Sequence, residues 1–240
     1  MLGCMTTREP QAPQLARLAG LIADETRATC LLALLDGRAW TASELARHAG
    51  VAPSTLSEHL GKLVAGNLLA EERQGRHRYV RLADARVAQL VEDLAAQVSP
   101  DAFARPRGLR ESSAGSAMAR GRTCYDHLAG RLGIAVTDAL TARGLLRQDT
   151  GFALTDSGAG WFDAVGIALD RKSRRPLARA CLDWTERRPH LAGVAGAALC
   201  RQALTTGWCV RIGSERAVKV TPSGERAMHD LLGIEADSLR

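Results

Sequence analysis

Two periods of apolar residues run through this chain, and the switch between them marks its elements. Leu15 to Ala23, LARLAGLIA, is a short apolar helix after a two-proline lead at residues 1–13 that reads as disordered. Asp24 is placed to cap a second helix ending at Gly37. The stretch Thr41–Leu82 organises the rest. Its first helix, Ser43 to His48, offers Leu45 and Ala46 to a core and stops at Gly50, because glycine takes left-handed angles at little cost. Pro53 opens the next helix, where its missing N–H costs nothing. There Leu56, Leu60 and Leu63 recur at spacings of four and three, giving one buried face. The run EERQGRHRYVRL then alternates around Gly75 as a hairpin. From Asp84 to Val98 the helical period returns, with Val87, Leu90, Val91, Leu94 and Val98 in one stripe that reads as core or as a dimer seam. Residues 99–121 break periodicity with proline, glycine, serine and four arginines, and read as a basic linker.

The polar positions add chemistry to this frame. Opposite the leucine face of the Pro53–Leu63 helix stand Ser54, Thr55, Ser57, Glu58, His59 and Lys62. Small hydroxyl residues and a cation suit phosphates and base edges in the major groove. Arg73, Arg76, His77 and Arg78 load the hairpin tip with positive charge.

The pattern S-T-L-S-x-H-L-x-x-L-x-x-x-x-L-L, followed by a G-R-x-x-x-V-x-L wing, resembles the winged helix-turn-helix of ArsR/SmtB-type bacterial repressors. So does the preceding IADETRATCLLALLDGRAWTASELA, and the likeness covers roughly residues 14–98. The resemblance implies a dimeric, sequence-specific transcriptional regulator on a palindromic double-stranded DNA operator, most simply a repressor released by an effector. It implies that the Leu15–Ala23 helix packs in the dimer interface and favours the seam reading of the 84–98 helix. The metal sites of that family do not transfer. Its arsenic and cadmium sensors hold thiols where ASELARHAG has no cysteine, and its zinc and nickel sensors use histidines that the 84–98 helix lacks.

Charge and composition change this picture little. The 240 residues carry a formal charge of +6, compatible with DNA, RNA or an anionic membrane. Aromatic residues are scarce, which argues against a stacking platform for single strands. No apolar run reaches membrane-span length and the first residues hold no apolar signal core, so the expected location is the cytoplasm. Cysteines there are reduced thiols, ligands or buried small hydrophobes; Cys30, among leucines, reads as a core thiol. No Walker loop, dinucleotide fingerprint or G-x-S-x-G elbow is present, and an enzyme is not expected.

Residues 122–240 contain a repeat. Cys124-Tyr-Asp126, His127-Leu-Ala-Gly130, Gly133, Gly144 and Leu154-Thr-Asp-Ser-Gly158 return as Cys181-Leu-Asp183, His190-Leu-Ala-Gly193, Gly196, Gly207 and Val220-Thr-Pro-Ser-Gly224. The units span about 122–170 and 179–236, and each reads as helix, helix, hairpin, helix. The expected fold is therefore mainly α with small β-wings: an N-terminal winged helix-turn-helix and a C-terminal pair of degenerate winged-helix-like repeats forming a sensor domain. Neither repeat carries the hydroxyl-rich face needed to read DNA. The basic stretch Arg171–Arg188 reads as a solvated face or a site for an anionic effector.

Cys124 with His127, and Cys181 with His190, are the candidate effector residues. Thiolate and imidazole ligate zinc-like cations, and Cys-x-x-His on a helix would put both on one face. Trp184 and Pro189 intervene in the second pair and disturb an equal geometry. Two readings stand: structural residues repeated because each unit packs alike, or ligands of a metal or thiol sensor. The sequence assigns no cofactor beyond a metal ion or small-molecule effector as candidates.

Overall fold

In a computed structural model, residues 11–74, 77–98, 109–149, 151–213 and 216–239 are described. They divide into two units: Met1–Leu35 with Ala39–Val87, and Asp36–Arg38 with Ala88–Arg240.

The first unit is built as the leucine periods require. Helix α1 (Gln11–Ile22) is followed by α2 (Glu25–Ala33), whose N-cap Asp24 accepts the Arg27 N–H at 3.0 Å. Strand β1 (Trp40–Thr41) leads into α3 (Ala42–Ala49), where Thr41 and Glu44 close a reciprocal capping box and Gly50 ends the helix at φ 70°. Helix α4 (Pro53–Ala65) starts on its proline. Strands β2 (Leu69–Gln74) and β3 (His77–Leu82) pair antiparallel, and β1 joins β3 in the order β1-β3-β2. Leu31, Leu45, Leu56, Leu60, Leu63 and Val80 are completely buried beneath them, as is Cys30, whose thiol burial pushes up to about 11. The helix starts at Gln11, within the expected 1–13 lead, because Pro13 falls in the first turn, where no intrahelical acceptor awaits its N–H. Residues 1–10 lie outside the described residues.

Helix α5 (Ala85–Ala95) does not present one apolar stripe. Ala88, Val91, Glu92 and Ala95 are buried, whereas Leu94 and Val98 are 44% and 46% exposed. From Ala88 onward it packs with the second unit, which moves the break in the chain from the expected 99–121 linker to the start of this helix. That linker is itself partly helical: α6 (Leu109–Arg120) forms from alanine, serine and a glycine that a helix tolerates, and is pinned by the buried Met118. Residues 99–108 lie outside the described residues.

The same order of elements occurs twice after Arg122, and it is hairpin, helix, hairpin, helix rather than the expected helix, helix, hairpin, helix. Unit one has β4 (Arg122–Cys124), β5 (His127–Ala129), α7 (Gly130–Ala142), β6 (Leu146–Arg147), β7 (Ala153–Leu154) and α8 (Asp156–Ala164). Unit two has β8 (Arg179–Leu182), β9 (Pro189–Ala192), α9 (Gly193–Thr205), β10 (Cys209–Arg211), β11 (Val218–Val220) and α10 (Pro222–Leu232). The expected first helix is a hairpin because the Cys and His segments are three or four residues long and close on each other, with Tyr125 taking φ 56° in the first turn. Thr155 and Thr221 cap α8 and α10 through the N–H groups of Gly158 and Gly224.

The two repeats are interleaved. Strand β5 packs on β9 and on α9, while β9 packs on α7. Each helix lies close on its own repeat's strand at a glycine: a Cβ at Gly133 would lie 2.5 Å from the Leu128 oxygen, and one at Gly196 2.4 Å from the Leu191 oxygen. Across the repeats, a Cβ at Gly196 would also be tight, 3.2 Å from the His127 Cβ, whereas one at Gly133 would make an ordinary contact of 3.6 Å with the His190 Cβ. Leu132, Leu140, Phe162, Ala195 and Ala203 fill the shared core.

Candidate functional site

In the first unit, the α4 face opposite the leucines is open. Ser54, Thr55, Ser57, Glu58 and Lys62 are exposed. The Ser57 hydroxyl donates back to the Pro53 carbonyl at 2.9 Å, so its oxygen remains available as an acceptor. His59 departs from the expected DNA-facing set. Its ring is 16% exposed and lies 3.4 Å from Asp24 and 3.3 Å from the Arg27 guanidinium, which ties α4 to the start of α2. Only an inward rotamer reaches that ion pair, a partnership the leucine period does not reveal. On the wing, Arg73 is 80% exposed with its Nε 3.5 Å from Glu71, whereas Arg78 reaches the same Glu71 at 2.6 Å and is 31% exposed. Arg76 lies outside the described residues, as does the His77 side chain.

In the second unit the four candidate effector residues converge. Cys124 and His127 are cross-strand partners in β4–β5, and Cys181 and His190 occupy the same register in β8–β9. A hairpin, not a helix face, thus joins each cysteine to its histidine. The extra residues around Trp184 and Pro189 are absorbed by a longer loop between β8 and β9, which leaves the two pairs equivalent. One ligand atom from each residue lies within 4.8 Å of all the others, and all four residues are buried. The sulfurs are 3.9 Å apart and the two Nε2 atoms 3.0 Å apart.

Carboxylates stand behind both imidazoles. His127 Nδ1 faces Asp126 at 3.3 Å, and His190 Nδ1 lies 3.1 Å from Asp183. A carboxylate on Nδ1 favours a proton there and leaves Nε2 with its lone pair. Two such lone pairs repel at 3.0 Å, so the pair is suited to a shared proton or a cation. Burial opposes charge on His190, but Asp183 and then Cys181 raise it above the ordinary histidine value. The hydrogen bond between the sulfurs acts oppositely on the two thiols, raising Cys124 and lowering Cys181. Cys200 and Cys209 contrast with this pair: burial pushes them to about 11 and about 12, as for inert core thiols.

A buried ionic frame surrounds the cluster. Arg122, completely buried, reaches Asp183 at 2.9 Å, Glu92 at 3.3 Å, the Met118 carbonyl and the Thr185 hydroxyl. Glu92 also accepts from Arg216 and from the Trp184 indole. Burial alone would raise Glu92; Arg216 and Arg122 outweigh it and hold the carboxylate below its ordinary value. Burial likewise opposes charge on Asp183, and His190 and Arg122 lower it. Sequence reading missed this frame because its members are scattered from residue 92 to residue 216. An arginine opens each repeat's first strand, but only Arg122 is buried; Arg179 is exposed.

Residues 22–72 match a family described as a helix-turn-helix domain. The chain is 40% identical over 226 residues to the HTH-type transcriptional regulator YdfF of Bacillus subtilis, covering 93% of this chain and 99% of that protein. Over 90 residues it is 38% identical to the HTH-type transcriptional regulator CmtR of Mycobacterium tuberculosis, 38% of this chain and 75% of CmtR. Among solved structures, the cadmium metal-sensor CmtR from Mycobacterium tuberculosis aligns at 33% identity with a TM-score of 0.30, covering 39% of this chain and 93% of its own. No described helix is long and apolar enough to cross a membrane.

Proposed function

The chain belongs to the ArsR/SmtB-type winged helix-turn-helix transcriptional regulators, and we propose that it is a homodimeric repressor released when the Cys124–His127–Cys181–His190 cluster takes a metal ion. The α4 face of Ser54, Thr55, Ser57 and Lys62 enters the major groove of a palindromic operator. Arg73, with Arg76 and Arg78, adds salt-dependent affinity for the backbone. Dimerisation is supported by α1, which buries none of its residues within the chain and leaves Leu15 67% exposed. Two-fold pairing sets two recognition helices about one DNA turn apart, as a palindrome requires.

The observation that carries the sensing half is the convergence of two sulfurs and two imidazole nitrogens within 4.8 Å. Two thiolates and two neutral imidazoles around a divalent cation sum to zero charge, and nearby Glu92 and Asp183 already have Arg122 and Arg216 as partners. A monovalent ion would leave a buried negative charge, which is costly. Soft thiolates with imidazoles in a four-ligand set suit zinc or cadmium. A second reading rests on the 3.9 Å sulfur separation: an oxidant joins Cys124 and Cys181 as a disulfide.

Fluorescence anisotropy on the DNA upstream of the chain's own gene separates these readings. One equivalent of zinc weakening the complex, with reversal by chelator, supports the metal reading. Weakening by peroxide alone, reversed by dithiothreitol, supports the disulfide. No binding at low salt contradicts the repressor.

A further inference from the structure

Two residues of α5 touch the cluster, and we infer that they report its occupancy: Glu92, assisted by Gln89, converts cation binding into a displacement of the helix that runs on from the wing. The inference rests on the metal reading above. Along the chain only Ala83 and Asp84 separate strand β3 from α5.

Gln89 and Glu92, one turn apart on α5, share a face. The Cys124 sulfur lies 2.9 Å from Gln89 Oε1 and 2.9 Å from Glu92 Oε2, and Gln89 Nε2 lies 3.5 Å from the Cys181 sulfur. With a thiol at Cys124 this arrangement is favourable, since the S–H has acceptors to choose from. A bound cation replaces that hydrogen, because the thiolate is the ligand form. The same sulfur then faces two oxygen acceptors, one of them a carboxylate.

The two residues differ in how they can respond. Gln89 can offer Nε2–H to the sulfur by turning its amide, at the cost of the 2.7 Å hydrogen bond that Nε2 donates to Asp93 Oδ1. Glu92 has no hydrogen to offer. Its Oε1 is held by Arg122, Arg216 and Trp184, while its Oε2 lies 2.9 Å from the Cys124 sulfur and shares that single S–H with Gln89 Oε1 and the Cys181 sulfur. A buried carboxylate oxygen that loses its donor and faces a thiolate is strongly disfavoured. Glu92 therefore withdraws and carries α5 with it. The thiol form of the cluster holds the helix in place; the cation form releases it.

The test is a coupling measurement on the full-length chain, reading DNA affinity with chelator and with one equivalent of zinc. Cobalt(II) absorption and elemental analysis report site occupancy in parallel. Wild type is expected to lose roughly tenfold or more in DNA affinity on zinc binding, within the usual range of allosteric coupling. Glu92→Gln keeps the side-chain size and supplies an N–H to the thiolate. It should still bind one cation, with the same sulfur-to-cobalt band and higher cation affinity, while its DNA affinity changes less than about twofold.

Equal coupling in wild type and in fully loaded Glu92→Gln overturns the inference. If Glu92→Gln does not fold, amide hydrogen exchange of α5 in the wild-type chain, with chelator and with one equivalent of zinc, decides. Faster exchange over Ala85–Ala95 with zinc supports the readout, and unchanged exchange overturns it. If wild type itself binds no zinc, or binds it without any change in DNA affinity, the metal reading falls and the inference falls with it.

Discussion

His127 and His190 turn their Nε2 atoms toward each other across 3.0 Å, although 63 positions separate them in sequence. Each comes from the second strand of a hairpin whose first strand ends in a cysteine or carries one, so the two repeats deliver two like pairs to one point. A repeat that looks like duplicated scaffold in sequence thereby becomes a junction of two sulfurs and two imidazole nitrogens, the set proposed above to hold a cation. Each repeat alone supplies half of the set.

Zinc should stabilise the protein through this junction. A ligand at a hundred times its dissociation constant adds about 2.7 kcal/mol to stability. Thermal unfolding should therefore shift upward by several degrees on adding zinc and return on chelation. Cys124→Ser and Cys181→Ser should each abolish the shift. A full shift in both variants would mean that the ion sits elsewhere.

Gly196→Ala should damage the junction without touching a ligand. Its Cβ would meet the Leu191 oxygen at 2.4 Å and the His127 Cβ at 3.2 Å, so the backbone must move. Overpacking of this kind costs about 1–3 kcal/mol. A lower melting temperature together with weaker cobalt binding is expected. Wild-type values for both would show that the interleaving tolerates a methyl group.

Arg73 and Arg78 should behave differently on DNA despite their proximity in sequence. Arg73 is largely exposed, and Arg73→Ala should lower the salt slope of binding by about 0.9 if it neutralises one phosphate. Arg78 lies closer to Glu71 than Arg73 does, 2.6 Å against 3.5 Å, and is less exposed, so Arg78→Ala should change the slope less and the melting temperature more. Salt titrations of both variants measure this directly, and identical slopes would contradict the assignment.

His59→Ala should act on stability rather than on operator choice. Its ring bridges Asp24 and Arg27, contacts worth about 1 kcal/mol together. Thr55→Ala, on the exposed face, should instead alter which operator sequence is preferred. Binding-site selection with both variants checks the contrast; altered preference in His59→Ala alone would reverse it.

The first unit was largely legible because its signals are local. Leu56, Leu60 and Leu63, the Pro53 start and the Gly50 stop each act within a few residues, and they place α3, α4 and the wing. The second unit was legible only as a pattern of matching residues. Cys124-x-x-His127 looks helical by spacing, yet a tight turn at Tyr125 makes the pair cross-strand neighbours. The unequal second spacing concealed that Cys181 and His190 are equivalent to them, since loop length is invisible to register. Residues 109–120 looked like linker by composition, but burial of Met118 sustains a helix there. His59 and Glu92 escaped for one reason: their partners Arg27 and Arg122 lie 30 or more positions away, and charge pairing at that range leaves no periodic trace.

The most direct test of the central claim is X-ray absorption at the zinc edge on protein loaded with one equivalent. The account predicts two sulfurs at about 2.3 Å and two imidazole nitrogens at about 2.0 Å from the metal. A shell of oxygen and nitrogen without sulfur would contradict it.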